Sequence, residues 1–233
     1  MAPYSGDLNM HRPFTSRTPM PPHNAQWAVR RRIAAHMRAL NEQLLTHDLP
    51  LAQLQRVEDS LRALQDVGAD SPAIHGRLEW AATASNGTYD LLSRDTTPIA
   101  GQSNMLSPPL HMHLDYDKGE AHAAVTLGWA FEGPPKCVHG GWVAALFDEF
   151  LGCAQLLSGA TGATGNLSVR YKRPTPLNKE LTLFAKVKEV HGRKILMEGT
   201  ISADGQVTAS CEGLFVSFAE GVLNLAERKL VVD

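Results

Sequence analysis

The architecture is most legible at Val138-His139-Gly140-Gly141-Trp142-Val143-Ala144-Ala145-Leu146-Phe147-Asp148-Glu149-Phe150-Leu151. From Gly140 to about Ser158 the chain is strongly apolar, too long for a strand and suited to a buried helix. Two glycines at its start permit a tight turn and leave the amide N–H groups unobstructed. A helix start presents unpaired N–H donors and a partial positive charge, surroundings that stabilise an oxyanion. Asp148 follows seven residues after Gly141, two turns on and on the same face. A carboxylate inside an apolar helix is costly to bury unless it is hydrogen-bonded or functional. Glu149 points about 100° away and reads as the solvated acid of the two. Each feature has a plainer reading: a helix-entry turn, a capping histidine, an arginine partner. Together, a donor nest and a carboxylate on one helical face are the parts that acyl transfer needs.

Outward from the helix, periodicity changes to two. Residues 110–117 and 120–128 are strand candidates around the turn Asp117-Lys118-Gly119. After the helix, Leu167, Val169 and Tyr171 alternate with Ser168, Arg170 and Lys172. Leu181, Leu183, Ala185 and Val187 form a second alternation, and Ile195, Met197 and Ile201 a third. Ala203-Asp204-Gly205-Gln206 signals a hairpin into a last strand, where Ala209, Cys211 and Gly213 leave room for a helix to lie close. The order of strand, strand, helix and four antiparallel strands predicts an α+β fold, with a meandering sheet wrapped around one long helix.

His139-Gly140-Gly141, six residues and then Asp148 resembles the H-G-G-x6-D pattern of PaaI-type hotdog acyl-CoA thioesterases. The closer likeness, to the mitochondrial Them-type branch, rests on Gly133-Pro134-Pro135, Leu167, Tyr171-Lys172-Arg173-Pro174, Pro176-Leu177 and Gly192-Arg193-Lys194, and spans residues 110–218. The resemblance implies a six-stranded hotdog sheet. It implies that the Gly141 N–H holds the thioester oxygen and that Asp148 acts as general base or nucleophile. Thr164 would help place water and carboxylate, and His139 would orient the carbonyl. Arg170, Lys172, Arg193 and Lys194 would contact coenzyme A, which enters as part of the substrate; no separate cofactor and no metal are expected. Lys and Arg suit phosphate, although the same residues also read as a charged sheet edge. Trp142 is bulkier than the pattern, and the first hundred residues lie outside it.

The 233 residues suffice for one packed domain and an appendage. A formal net charge of -2 gives no global field towards nucleic acid, and no apolar run approaches a membrane span. Three widely spaced cysteines fit a reducing compartment. No apolar leader opens the chain, so cytoplasm is expected. Six arginines and one acid up to Asn41 raise the mitochondrial matrix as an alternative. Residues 1–25 read as a mobile arm and 26–66 as two amphipathic helices, with Trp27, Ile33, Met37, Leu40 and Leu44, then Leu51, Leu54, Val57, Leu61 and Leu64 as their stripes. Such helices must dock on the rest of the molecule or on a second copy. Residues 67–108 read as an irregular connection, 109–220 as the hotdog domain and 221–233 as a tail.

Gly141 and Asp148 are about 10 Å apart along one helix, too far for one thioester carbon to touch both. Two antiparallel helices across a two-fold axis would bring them together, so a homodimer with a shared site is expected, with a tetramer as a further possibility. Two other readings compete. An acyl-CoA-binding sensor joined to a DNA-binding helix pair draws on Arg30-Arg31-Arg32, although such a triplet is more often a solvated face. A hydratase or dehydratase on the same fold wants an acid paired with histidine, and none occurs between Gly140 and Val190.

Overall fold

The computed structural model describes residues 12–82, 89–218, 223–224 and 229–230. Within them run helices α1 (Ala25–Thr46), α2 (Leu51–Arg62), α3 (Gly76–Ala82), α4 (Tyr89–Thr96) and α5 (Gly140–Ala154). Strands β1 (His111–Asp115), β2 (Glu120–Thr126), β3 (Gly162–Tyr171), β4 (Glu180–His191), β5 (Lys194–Ala203) and β6 (Gln206–Ser217) form one antiparallel sheet. Its order is β1-β2-β4-β5-β6-β3, so β1 and β3 are the two edges.

The apolar stretch is the axis of this hotdog arrangement. Val143, Leu146, Phe147, Phe150, Leu151 and Ala154 of α5 are buried, as the three-and-four spacing requires of one helical face. They meet the inward residues of the sheet, among them Leu181, Leu183, Ile195, Met197, Ile201 and Phe215. Each such side chain contributes about 1.5–3 kcal/mol by leaving water. The approach is closest at Leu151. A Cβ added at Gly199 would lie 3.0 Å from its Cδ2, and one at Gly213 would lie 3.1 Å from its Cδ1. At the β5–β6 hairpin, Asp204 (φ 50°) and Gly205 (φ 74°) both take the left-handed backbone that a two-residue turn demands.

The N-terminal part departs from the sequence reading in four ways. Residues 67–108 are not simply irregular, because they carry α3 and α4. From Arg12 onward the arm is docked: the Phe14 carbonyl accepts from the Leu114 N–H at 2.8 Å, and the Pro13 carbonyl from the Tyr116 hydroxyl at 3.2 Å. Residues 1–11 and most of the 221–233 tail lie outside the described residues. The apolar stripe of α1 docks only in part: Trp27 is buried, whereas Ile33 and Leu44 are 53% and 37% exposed. The basic triplet is only in part a solvated face: Arg30 and Arg32 are exposed and Arg31 is half-buried. Arg31 forms a two-pronged pair with Asp95 in the last turn of α4, at 2.7 and 3.0 Å, and Arg30 lies over the rings of Trp27 and Trp80. Charge on α1 thus ties it to α3 and α4. No described helix is long and apolar enough to cross a membrane.

Candidate active site

His139 is the N-cap of α5, with extended backbone (φ -58°, ψ 132°) before the helix turns in. Its Nδ1 accepts from the Gly141 N–H at 3.0 Å, which assigns the ring proton to Nε2. The Trp142 and Val143 N–H groups both turn back to the His139 carbonyl, at 2.9 and 3.2 Å. Among the described residues, nothing accepts from the Gly140 N–H. This corrects the expectation for Gly141: its donor is already engaged by the histidine ring, and the open one belongs to Gly140. The Tyr171 hydroxyl donates to the Gly140 carbonyl at 2.8 Å and ties β3 to the helix start. Trp142, bulky for its position, packs edge-on against Phe131 with ring centroids 4.8 Å apart.

Two turns along α5, Asp148 is exposed and its Oδ1 accepts from the Thr164 hydroxyl at 2.8 Å. Helix and edge strand therefore bring together two residues that are 16 apart in sequence. Glu149 reverses the expectation drawn for it. It is the more enclosed acid, facing a cavity of about 70 Å³ with Met20, Arg94 and Met112, and burial pushes its carboxyl above the ordinary range. Thr97 and the charge of Arg77 oppose that rise, and the charge of Asp148 adds to it. Burial also pushes up the thiols of Cys153 and Cys211, the latter to about 11, so neither is a ready thiolate nucleophile.

The four cations expected to contact coenzyme A form two groups within one chain. Arg170 and Lys172 line a hollow of about 500 Å³ on the sheet, with Glu198 and Glu212 facing it. Arg193 and Lys194 lie at the β4–β5 turn, where the Arg193 Nε donates to the Ser217 carbonyl at 2.9 Å. Register places Lys194 in line with Val216 and Ala163, seven residues along β3 from Arg170. At the usual rise the two groups are roughly 20 Å apart. The first group flanks Tyr171 and the helix start; the second is at the Thr164 and Asp148 end.

A family model described as thioesterase superfamily matches residues 136–210. A solved structure of a thioesterase superfamily protein is 36% identical, with a TM-score of 0.69, over 84% of this chain and 97% of that one. The chain is also similar to acyl-coenzyme A thioesterase THEM4 of Xenopus laevis, 30% identical over 105 residues, 43% of this chain and 47% of that protein. An uncharacterized mitochondrial protein of Candida albicans (strain WO-1) is 33% identical over 121 residues, 51% of this chain and 50% of its own length. The chain thus spans about half the length of these curated relatives.

Proposed function

We propose an activity from a fixed premise, that the chain belongs to the thioesterase superfamily. It hydrolyses the thioester of an acyl-coenzyme A to a free acid and coenzyme A. The observation that carries this reading is the pairing of an exposed, hydroxyl-bonded carboxylate at Asp148 with an unengaged N–H at Gly140 on the same helix. The Gly140 N–H receives the thioester oxygen as negative charge develops on it, helped by the His139 Nε2–H. Thr164 holds Asp148 Oδ1 and leaves Oδ2 to accept a proton from water. That water forms the new C–O bond. The tetrahedral intermediate then collapses, the C–S bond breaks, and the coenzyme A sulfur leaves with the proton that Asp148 took up.

One chain does not complete this site. Asp148 is eight positions after Gly140, about 12 Å of helix, whereas the thioester oxygen must lie about 3 Å from the N–H donor while a water held by the carboxylate lies about 3 Å from the carbon bonded to that oxygen. The edge strand β3 offers the remedy. It is ten residues long, and Thr164, Gly165 and Asn166 on it are exposed. Antiparallel pairing of two such edges across a two-fold sets the Asp148 end of one copy against the Gly140 end of the other. The same operation brings the Arg193 and Lys194 of one copy towards the Arg170 and Lys172 of the second, which unites the two cation groups around one coenzyme A.

The test is thiol release from acyl-CoAs of graded chain length, for the wild type and Asp148→Asn. The amide keeps size and polarity but takes up no proton, so kcat should fall by about 10²–10⁴ while acyl-CoA still binds. Wild-type turnover in a folded Asp148→Asn protein would remove Asp148 from the chemistry. A wild type that binds acyl-CoA and releases no thiol would favour the sensor reading.

A further inference from the structure

We propose that Glu42 of α1 is a positioning residue for the oxyanion end of the site, which gives the N-terminal appendage a part in turnover. The role assigned here rests on the hydrolase reading above. Glu42 is half-buried, and its carboxylate spans two consecutive backbone donors: Oε1 accepts from the Trp129 N–H at 2.8 Å and Oε2 from the Ala130 N–H at 3.1 Å. These begin a single 3-10 turn, Trp129–Phe131, whose own N-cap, Gly128, has no side chain to satisfy them. Helix starts leave such donors open, and here a residue 87 positions away closes them.

The far end of this turn holds the start of α5. The Phe131 carbonyl accepts from the His139 N–H at 2.9 Å, and the Phe131 ring meets Trp142 edge-on. Gly133 packs so closely that a Cβ there would lie 2.6 Å from the His139 Cα. One carboxylate on α1 is therefore linked, through three residues of backbone, to the histidine that engages the Gly141 N–H and precedes the open Gly140 N–H. The helix carrying that carboxylate is itself braced by Arg31 on Asp95 and by Arg38, which donates to the Asn104 carbonyl at 2.9 Å. An oxyanion donor acts only when held to within a fraction of an ångström, so slack at residues 129–131 reaches the chemistry.

The contact can be broken from either side. Glu42→Ala removes the carboxylate. Gly128→Ala leaves it in place but sets a Cβ 2.8 Å from Oε1, which must then move away. Both variants should lower kcat about tenfold and leave KM for acyl-CoA within about twofold, because coenzyme A is held elsewhere. The double variant should lose no more than either single one, since both break one contact. Glu42→Gln, which keeps one acceptor oxygen, should fall between wild type and Glu42→Ala. A second readout needs no turnover: amide hydrogen exchange over residues 128–142 should quicken in both single variants while β4, β5 and β6 exchange as in wild type. Unchanged exchange in that segment, or faster exchange with wild-type kcat, overturns the proposal. If the wild type releases no thiol from any acyl-CoA, the hydrolase reading falls, and exchange alone then decides whether Glu42 holds the segment.

Discussion

Asp148 and Glu149 are neighbours on α5, and the 100° step between them sends one side chain to the open face and the other towards the cavity beside α4. Sequence alone assigns two adjacent acids to two sides but not which side is covered; that depends largely on residues 93–102, which fall in the stretch read as irregular. Burial raises the Glu149 carboxyl, so the folded protein holds this proton more firmly than the unfolded chain. The resulting stability is fully present below the ordinary carboxylate pKa of about 4.3 and is lost as pH rises through the raised folded value. Glu149→Gln should therefore raise Tm at neutral pH, and the gain should shrink as pH falls below the carboxylate range. Thermal melts of both proteins across that range check this; a difference independent of pH would contradict it. The pairing of Thr164 with Asp148 agrees with what the family resemblance implies, and no spacing in the chain announces it. The choice between Gly140 and Gly141 was not, because it turns on where the His139 ring points. Lys172→Ala and Arg193→Ala should each raise KM for acyl-CoA more than they lower kcat, and added salt should act in the same direction. Steady-state kinetics with an unchanged KM would return both residues to a solvated edge.

Elements were legible wherever burial is apolar and one-sided. The strands followed their alternation, and α5 followed its unbroken hydrophobicity. Small residues in β6 were read as room for a helix, and Leu151 fills that room against Gly213. A methyl group at Gly213 would lie 2.9 Å from the buried Phe215 ring and 3.1 Å from Leu151. Gly213→Ala should thus cost about 1–3 kcal/mol by overpacking, measured as a lower denaturation midpoint with unchanged slope. An unaltered midpoint would mean that α5 shifts away freely. Helix α1 resisted the same reading for a physical reason. Its docking face runs through Trp27, Arg31, Ala34, Arg38 and Glu42, at helical spacing, and the polar members bind by paired charge and backbone hydrogen bonds. A search for an apolar stripe finds Trp27 but also selects Ile33 and Leu44, which remain 53% and 37% exposed, and it passes over the polar members.

At the scale of the molecule, the sequence pattern supplied the order of elements but not the neighbours in the sheet. Nothing in the alternation of Leu167, Val169 and Tyr171 says that β3 pairs with β6, at the edge, and not with β4, which follows it in the chain. That placement leaves Thr164 and Tyr171 on one exposed edge, at opposite ends of α5, and it is the physical basis for the proposal of a site shared across a two-fold. The most direct test mixes two inactive proteins, Asp148→Ala and Gly140→Pro, under conditions in which subunits exchange. Proline is tolerated at the first position of a helix, and the extended His139 before it suits a residue preceding proline, so Gly140→Pro removes the open N–H and little else. Half of randomly paired dimers are mixed, and each carries one intact site beside one with both lesions. Thiol release should recover to roughly a quarter of the wild-type rate under two-fold symmetry. Verified exchange with no recovery would place both groups within one chain and contradict the shared site.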